Sequence, residues 1–123
     1  MLVAAAILGF GFLGACLRHV VSTAVTLRTG WVFPAGIFIV NLSGSFALGL
    51  LTGLAVTRAW PDWLTIGLGV GAIGAYTTYS TWANDSVNLW RDGMPRAFLV
   101  NMVVSVALGV AAAAAGIAIG SRW

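Results

Sequence analysis

GAIGAYTTYSTWAND, residues 71–85, gathers glycines, hydroxyls, three aromatic rings and a carboxylate inside a chain that is otherwise strongly apolar. Of 123 residues, 60% are hydrophobic and only 7% are charged, with a mean hydropathy of +1.00. A soluble domain of this size has too little polar surface to cover such a composition, which places the chain among integral membrane proteins. The quoted stretch does not end the apolar pattern, because residues 63–84 carry no charge at all. It therefore lies within a span. Its centre, Gly71 to Thr78, is poor material for continuous helix, since glycine and β-branched threonine both cost helix stability. A break there frees backbone carbonyls at bilayer depth, and irregular backbone survives in a membrane only inside protein or along a wet cavity. Broken helices with freed carbonyls are a recurrent way to hold ions. The stretch is thus expected to be an ion site.

Working outward, residues 29–57 and 97–121 are also free of charged side chains. Each is long enough to cross a hydrocarbon core, which takes about 20 apolar residues in a helix. A fourth candidate covers about residues 2–24, continuing past Arg18. It lacks a charged n-region and a convincing cleavage site, so it reads as a retained helix rather than a signal peptide. Helix two is expected from about Phe33-Pro34, where proline suits a first turn, to about Thr57. Segment three is expected over about 63–90 and helix four over about 97–120. The prediction is an all-α membrane protein of four transmembrane helices, the third broken near its middle, in a single domain spanning residues 1–123.

Trp31, Trp60, Trp63, Trp90 and Trp123 fall at the predicted span ends, where an aromatic belt belongs; only Trp82 lies inside a span. Gly49/Gly53, Gly67/Gly71 and Gly116/Gly120 have the GxxxG spacing that lets helices approach closely. Orientation is weakly encoded. Leaving Arg18 aside, Arg28, Arg91 and Arg96 fall on one side and Arg58 and Arg122 on the other, almost no bias. Either the chain inserts weakly with its N-terminus outside, or it inserts both ways.

Several function classes drop out. Six arginines scattered along the chain, with no lysine, do not make a nucleic-acid surface. GFGFLG at 9–14 fits GxGxxG, but a dinucleotide site needs a βαβ unit and an acid about 20 residues on; the first acid here is Asp62. Cys16 and His19 share a helix face without the orienting carboxylate that nucleophilic catalysis requires. One His and one Cys cannot build a conventional metal cluster. No enzyme is predicted.

Other polar residues can join the broken segment. Asn41 and Ser45 are four apart on helix two, and Asn101 and Ser105 repeat that spacing on helix four. They serve either as interhelical hydrogen bonds or as a pore lining with donors and almost no charge, suited to a small ion or neutral solute.

These residues carry a resemblance. GFGFLGACLRH at 9–19, IVNLSGSFALG at 39–49 and GAIGAYTTYSTWAND at 71–85 resemble, in order and spacing, the three motifs of the Fluc/CrcB fluoride channels: GxxGAxxR, VNxxGSFxxG and GxxTTFSTF. The resemblance implies passive fluoride efflux across the cell membrane by an antiparallel, dual-topology dimer with a structural, untransported sodium ion at its centre. Near-neutral loop bias is what dual insertion requires. Carried over by position, Gly74 and Thr77 offer main-chain carbonyls to sodium. Asn41, Thr78, Tyr79, Ser80, Trp82 and Ser105 belong to the fluoride pathway. Arg18 matches the arginine of the first motif, and Asp85 stands where a carboxylate follows the break. Tyr79 and Trp82 replace two phenylalanines whose positive ring edges are thought to face fluoride. Each adds a donor that could hold the anion, or bulk that could block it. The dimer is either homomeric or paired with a paralogous subunit. Two other readings remain on the residues alone. A small multidrug exporter has this length but calls for an intramembrane carboxylate, and Asp85 is the only acid within a span. A purely structural subunit leaves the broken segment without a purpose.

Overall fold

In the computed structural model, which describes residues 1–123, every regular element is helical. Helix α1 spans Leu2–Thr29 and α2 spans Ala35–Thr57. Helix α3 covers 62–76, helix α4 is Tyr79–Arg91, and α5 is Pro95–Gly120. Three of them, α1, α2 and α5, are long and apolar enough to cross a membrane. The first helix runs further than its apolar pattern predicts. It continues to Thr29 because Gly30, at φ 59°, closes it with a left-handed cap whose N–H donates to the Thr26 carbonyl. That conformation costs glycine nothing.

The predicted interruption exists, but the glycines do not cause it. Residues Gly67–Ile73 wind as a π-helix, and Gly74 keeps right-handed helical angles. The backbone turns extended only at Thr77 (ψ 162°) and Thr78 (φ −149°, ψ 124°). Glycine serves packing here instead. A Cβ on Gly71 would press on the Ile7 carbonyl, and one on Gly67 would meet Phe10 and Ala6, so α3 lies close against α1. Gly14 answers from the other side, against the Ala72 backbone.

The remaining GxxxG pairs face each other. A Cβ on Gly49 would overlap the Ala113 backbone, and one on Gly53 the backbone near Ile117 and Gly120. Gly116 and Gly120 in turn lie against the backbone of residues 46–54. Backbones that close gain dispersion contact and exclude lipid, the main source of helix affinity in a bilayer. The pairs therefore hold α2 to α5 within the chain.

Little else is enclosed. Only 16 of 123 residues are buried, and the accessible surface is 7538 Å². A soluble monomer of 12.7 kDa exposes about 6,200 Å². Large apolar side chains such as Leu8, Phe12, Val56 and Val110 stand more than half exposed. A chain with its hydrophobic side chains turned outward has lipid for a solvent.

Candidate functional site at the helix break

The break is held by one side chain. Asn41, on α2, accepts from the Thr78 N–H through Oδ1 at 2.9 Å and donates from Nδ2 to the Thr78 carbonyl at 3.0 Å. A side-chain amide carries an acceptor and a donor side by side, so it can satisfy the N–H and the C=O of one residue at once. The Thr78 N–H would otherwise donate to the Gly74 carbonyl, four residues back. Diverted to Asn41, it leaves that carbonyl without its helical donor, and Gly74 lies on an exposed face.

The flanking residues complete the joint. The Thr77 N–H and Oγ1 both donate to the Ile73 carbonyl, at 2.9 and 3.0 Å. Thr78, 8% exposed, caps α4 by accepting from the Thr81 N–H at 3.2 Å. Arg18 is half-buried, its Nη1 3.5 Å from the Thr77 carbonyl. That distance is at the limit of hydrogen bonding. It sets a positive charge beside the break without consuming the oxygen. Two helix ends thus meet: the negative C-terminal end of α3 and the positive N-terminal end of α4.

An open groove of about 530 Å³ runs along this joint. It gathers Asn41 and Ser45 from α2, Gly74, Thr77 and Thr78 at the break, Tyr79 and Trp82 from α4, and Ser105 from α5. Most of the residues singled out in the sequence are therefore brought together. Three are not. Ser80 is exposed beside the groove, its Oγ 3.4 Å from Thr78 Oγ1, while Arg18 lies behind the break and Asp85 half-buried on α4. Tyr79 is 77% exposed, and its ring lies 5.4 Å from that of Trp82 at a 45° tilt.

Trp82 differs from the expectation of a free donor. Its indole Nε1–H donates to the Asn101 carbonyl at 3.1 Å, tying α4 to a π-helical turn at Val100–Val104 of α5. Asn101 is 1% exposed and does not line the groove; of the two expectations for it, interhelical hydrogen bonding is the one realised. Its Nδ2 donates to Ser86 Oγ at 2.9 Å, and its Oδ1 accepts from Ser105 at 3.3 Å. Ser86, 2% exposed, escaped the sequence reading altogether. A lone serine on a helix carries no pattern, and only the approach of α5 gives it a partner.

A three-motif chain with an amide-braced break and a groove of uncharged donors points to one family. The family model described as CrcB-like protein, Camphor Resistance (CrcB), matches residues 5–117. This chain belongs to the CrcB family. It is 45% identical over 113 residues to Fluoride-specific ion channel FluC 1 of Symbiobacterium thermophilum, covering 89% of this chain and 90% of the relative. It is 45% identical over 106 residues to FluC 2 of Mycolicibacterium paratuberculosis, covering 86% and 84%. FluC 4 of Brucella abortus is 40% identical over 113 residues, covering 86% and 82%. CrcB relatives are thus named as channels, not enzymes, and this CrcB chain is a multi-pass membrane protein.

Proposed function

We propose that this chain is a fluoride channel, working as an antiparallel dual-topology dimer that lets fluoride leave the cell passively. The observation that carries the reading is the break at Thr77–Thr78, braced by Asn41 and opening on the groove that also holds Ser105. In this account residues 62–91 form a fourth crossing, made of two half-helices. The polar track of Asn41, Thr78 and Ser105 replaces part of the hydration shell of a small anion, with Ser80 at its margin. With no basic side chain lining the groove, there is no deep electrostatic trap to stop the ion leaving. The N-terminal end of α4 adds a favourable dipole for an anion.

Sodium fits the other helix end. The Gly74 carbonyl lacks its helical donor and the Thr77 carbonyl is only loosely approached by Arg18, so both are hard oxygens free to coordinate. One chain supplies two such oxygens, and a second copy across the exposed face would double them. When bound, the ion would neutralise the C-terminal end of α3 and hold the break open. Tyr79 is the aromatic group left to meet the anion, with Trp82 backing it. FluC proteins numbered one to four exist among relatives, which supports pairing with a paralogue as the alternative to a homodimer. Asp85 has no assigned part in the pathway.

The test is fluoride release from liposomes containing this protein alone, with sodium or a large organic cation outside and inside. Sodium-dependent release of fluoride but not chloride is expected. No release from the protein alone, restored by a co-reconstituted paralogue, would replace the homodimer with a heterodimer. Absence of release in both preparations would overturn the channel.

A further inference from the structure

Four polar groups behind the groove form a chain whose sense can be read. The Ser86 hydroxyl donates to the Trp82 carbonyl at 2.8 Å, so its oxygen is left to accept. It accepts from Asn101 Nδ2 at 2.9 Å. That fixes the Asn101 amide with Oδ1 toward Ser105, and Ser105 donates to it at 3.3 Å. The orientation of the amide follows from these partners, which is how an asparagine is assigned. The consequence is local: the half-buried Ser105 shows the groove a lone pair, not its proton.

The chain has a second arrangement with the opposite sense. If the amide turns over, Ser86 donates to Asn101 Oδ1, Nδ2 donates to Ser105 Oγ, and the Ser105 proton faces the groove. This arrangement loses only the bond from Ser86 to the Trp82 carbonyl. That carbonyl retains its place in the helix, so the difference is about one neutral hydrogen bond. An anion accepting the freed Ser105 proton more than restores it, because bonds to charged acceptors are about twice as strong as neutral ones. We propose that Ser86, Asn101 and Ser105 form a reversible hydroxyl–amide–hydroxyl relay that turns the Ser105 proton into the groove when an anion arrives. Ser86, outside the groove, is thereby a positioning residue for anion binding. The inference rests on the channel reading above for the identity of the anion.

In the intact protein the anion-ready sense has one internal bond fewer than the resting sense. In Ser86→Ala each sense keeps one, so the handicap disappears. Removing a handicap of one neutral bond corresponds to about a fivefold change in equilibrium. Fluoride flux is measured against fluoride concentration in liposomes for the wild type, S86A, S105A and the double variant. S86A is expected to lower the half-saturating fluoride concentration about threefold, because the anion-ready fraction rises from about one sixth to about one half, and to change nothing when S105A is already present. An unchanged half-saturation in S86A, or the same shift in both backgrounds, overturns the relay.

A second measurement stands apart from transport. The Asn101 side-chain amide, followed by nitrogen-15 NMR in micelles, is expected to keep its hydrogen-bonded signature in S105A, to keep about half of it in S86A, where Nδ2 donates to Ser105 in the turned sense, and to lose it entirely only in the double variant. Complete loss in S86A alone means the amide cannot turn over, and overturns the relay. Liposomes of the wild type that release no fluoride refute the channel reading, and the amide signature then still decides the relay.

Discussion

Replacing Asn41 by leucine removes the one side chain that satisfies both the N–H and the C=O of Thr78. The shape is nearly kept, so the effect is one of hydrogen bonding. Two neutral bonds are lost, about 1 kcal/mol each, and the stranded N–H and C=O add about 1–3 kcal/mol apiece if nothing takes them. Thr78 is 8% exposed, so water offers little relief. The N–H has another option: it can return to the Gly74 carbonyl and continue the α3 helix through the break. That recovers one bond and leaves a net loss of about 2–4 kcal/mol. Polar contacts between membrane helices average only about 0.6 kcal/mol, which places a floor near 1 kcal/mol for the pair. Healing the break also covers the Gly74 oxygen, so sodium dependence should vanish together with flux. Reversible unfolding in mixed micelles and fluoride release from liposomes measure the two effects. A variant whose unfolding free energy stays within about 0.5 kcal/mol of wild type, with sodium-dependent flux intact, would refute the bracing role of Asn41.

Trp82→Phe restores the aromatic edge but removes the donor to the Asn101 carbonyl. A loss of about 1 kcal/mol or more in stability is expected, with α5 less tightly held, and a variant as stable as wild type would show the bond to be idle. Gly49→Ala drives a Cβ into the Ala113 backbone, whereas Gly9 has nothing within 4 Å of such an atom. The first should cost about 1–3 kcal/mol, the range for overpacking, and the second close to nothing; equal effects in micellar unfolding would contradict the α2–α5 contact.

Much was legible in the order of residues. Charge-free runs long enough to span a bilayer, tryptophans at their ends and the crowded stretch at 71–85 determined a helical membrane protein with an interrupted third segment, because lipid permits so few ways of satisfying a backbone. Three motifs in order were enough to indicate the family. Composition could not say where the interruption falls, since glycine and threonine both weaken a helix and stand side by side there. Packing against α1 kept the glycines helical, and the reach of Asn41 from α2 chose Thr77–Thr78. The fate of the Trp82 donor was likewise hidden: an indole N–H is free or engaged according to a carbonyl 19 residues away. Periodicity and hydropathy record what each residue prefers. Which hydrogen bonds close, and which oxygens stay open, is decided only when distant helices come within 3 Å of one another.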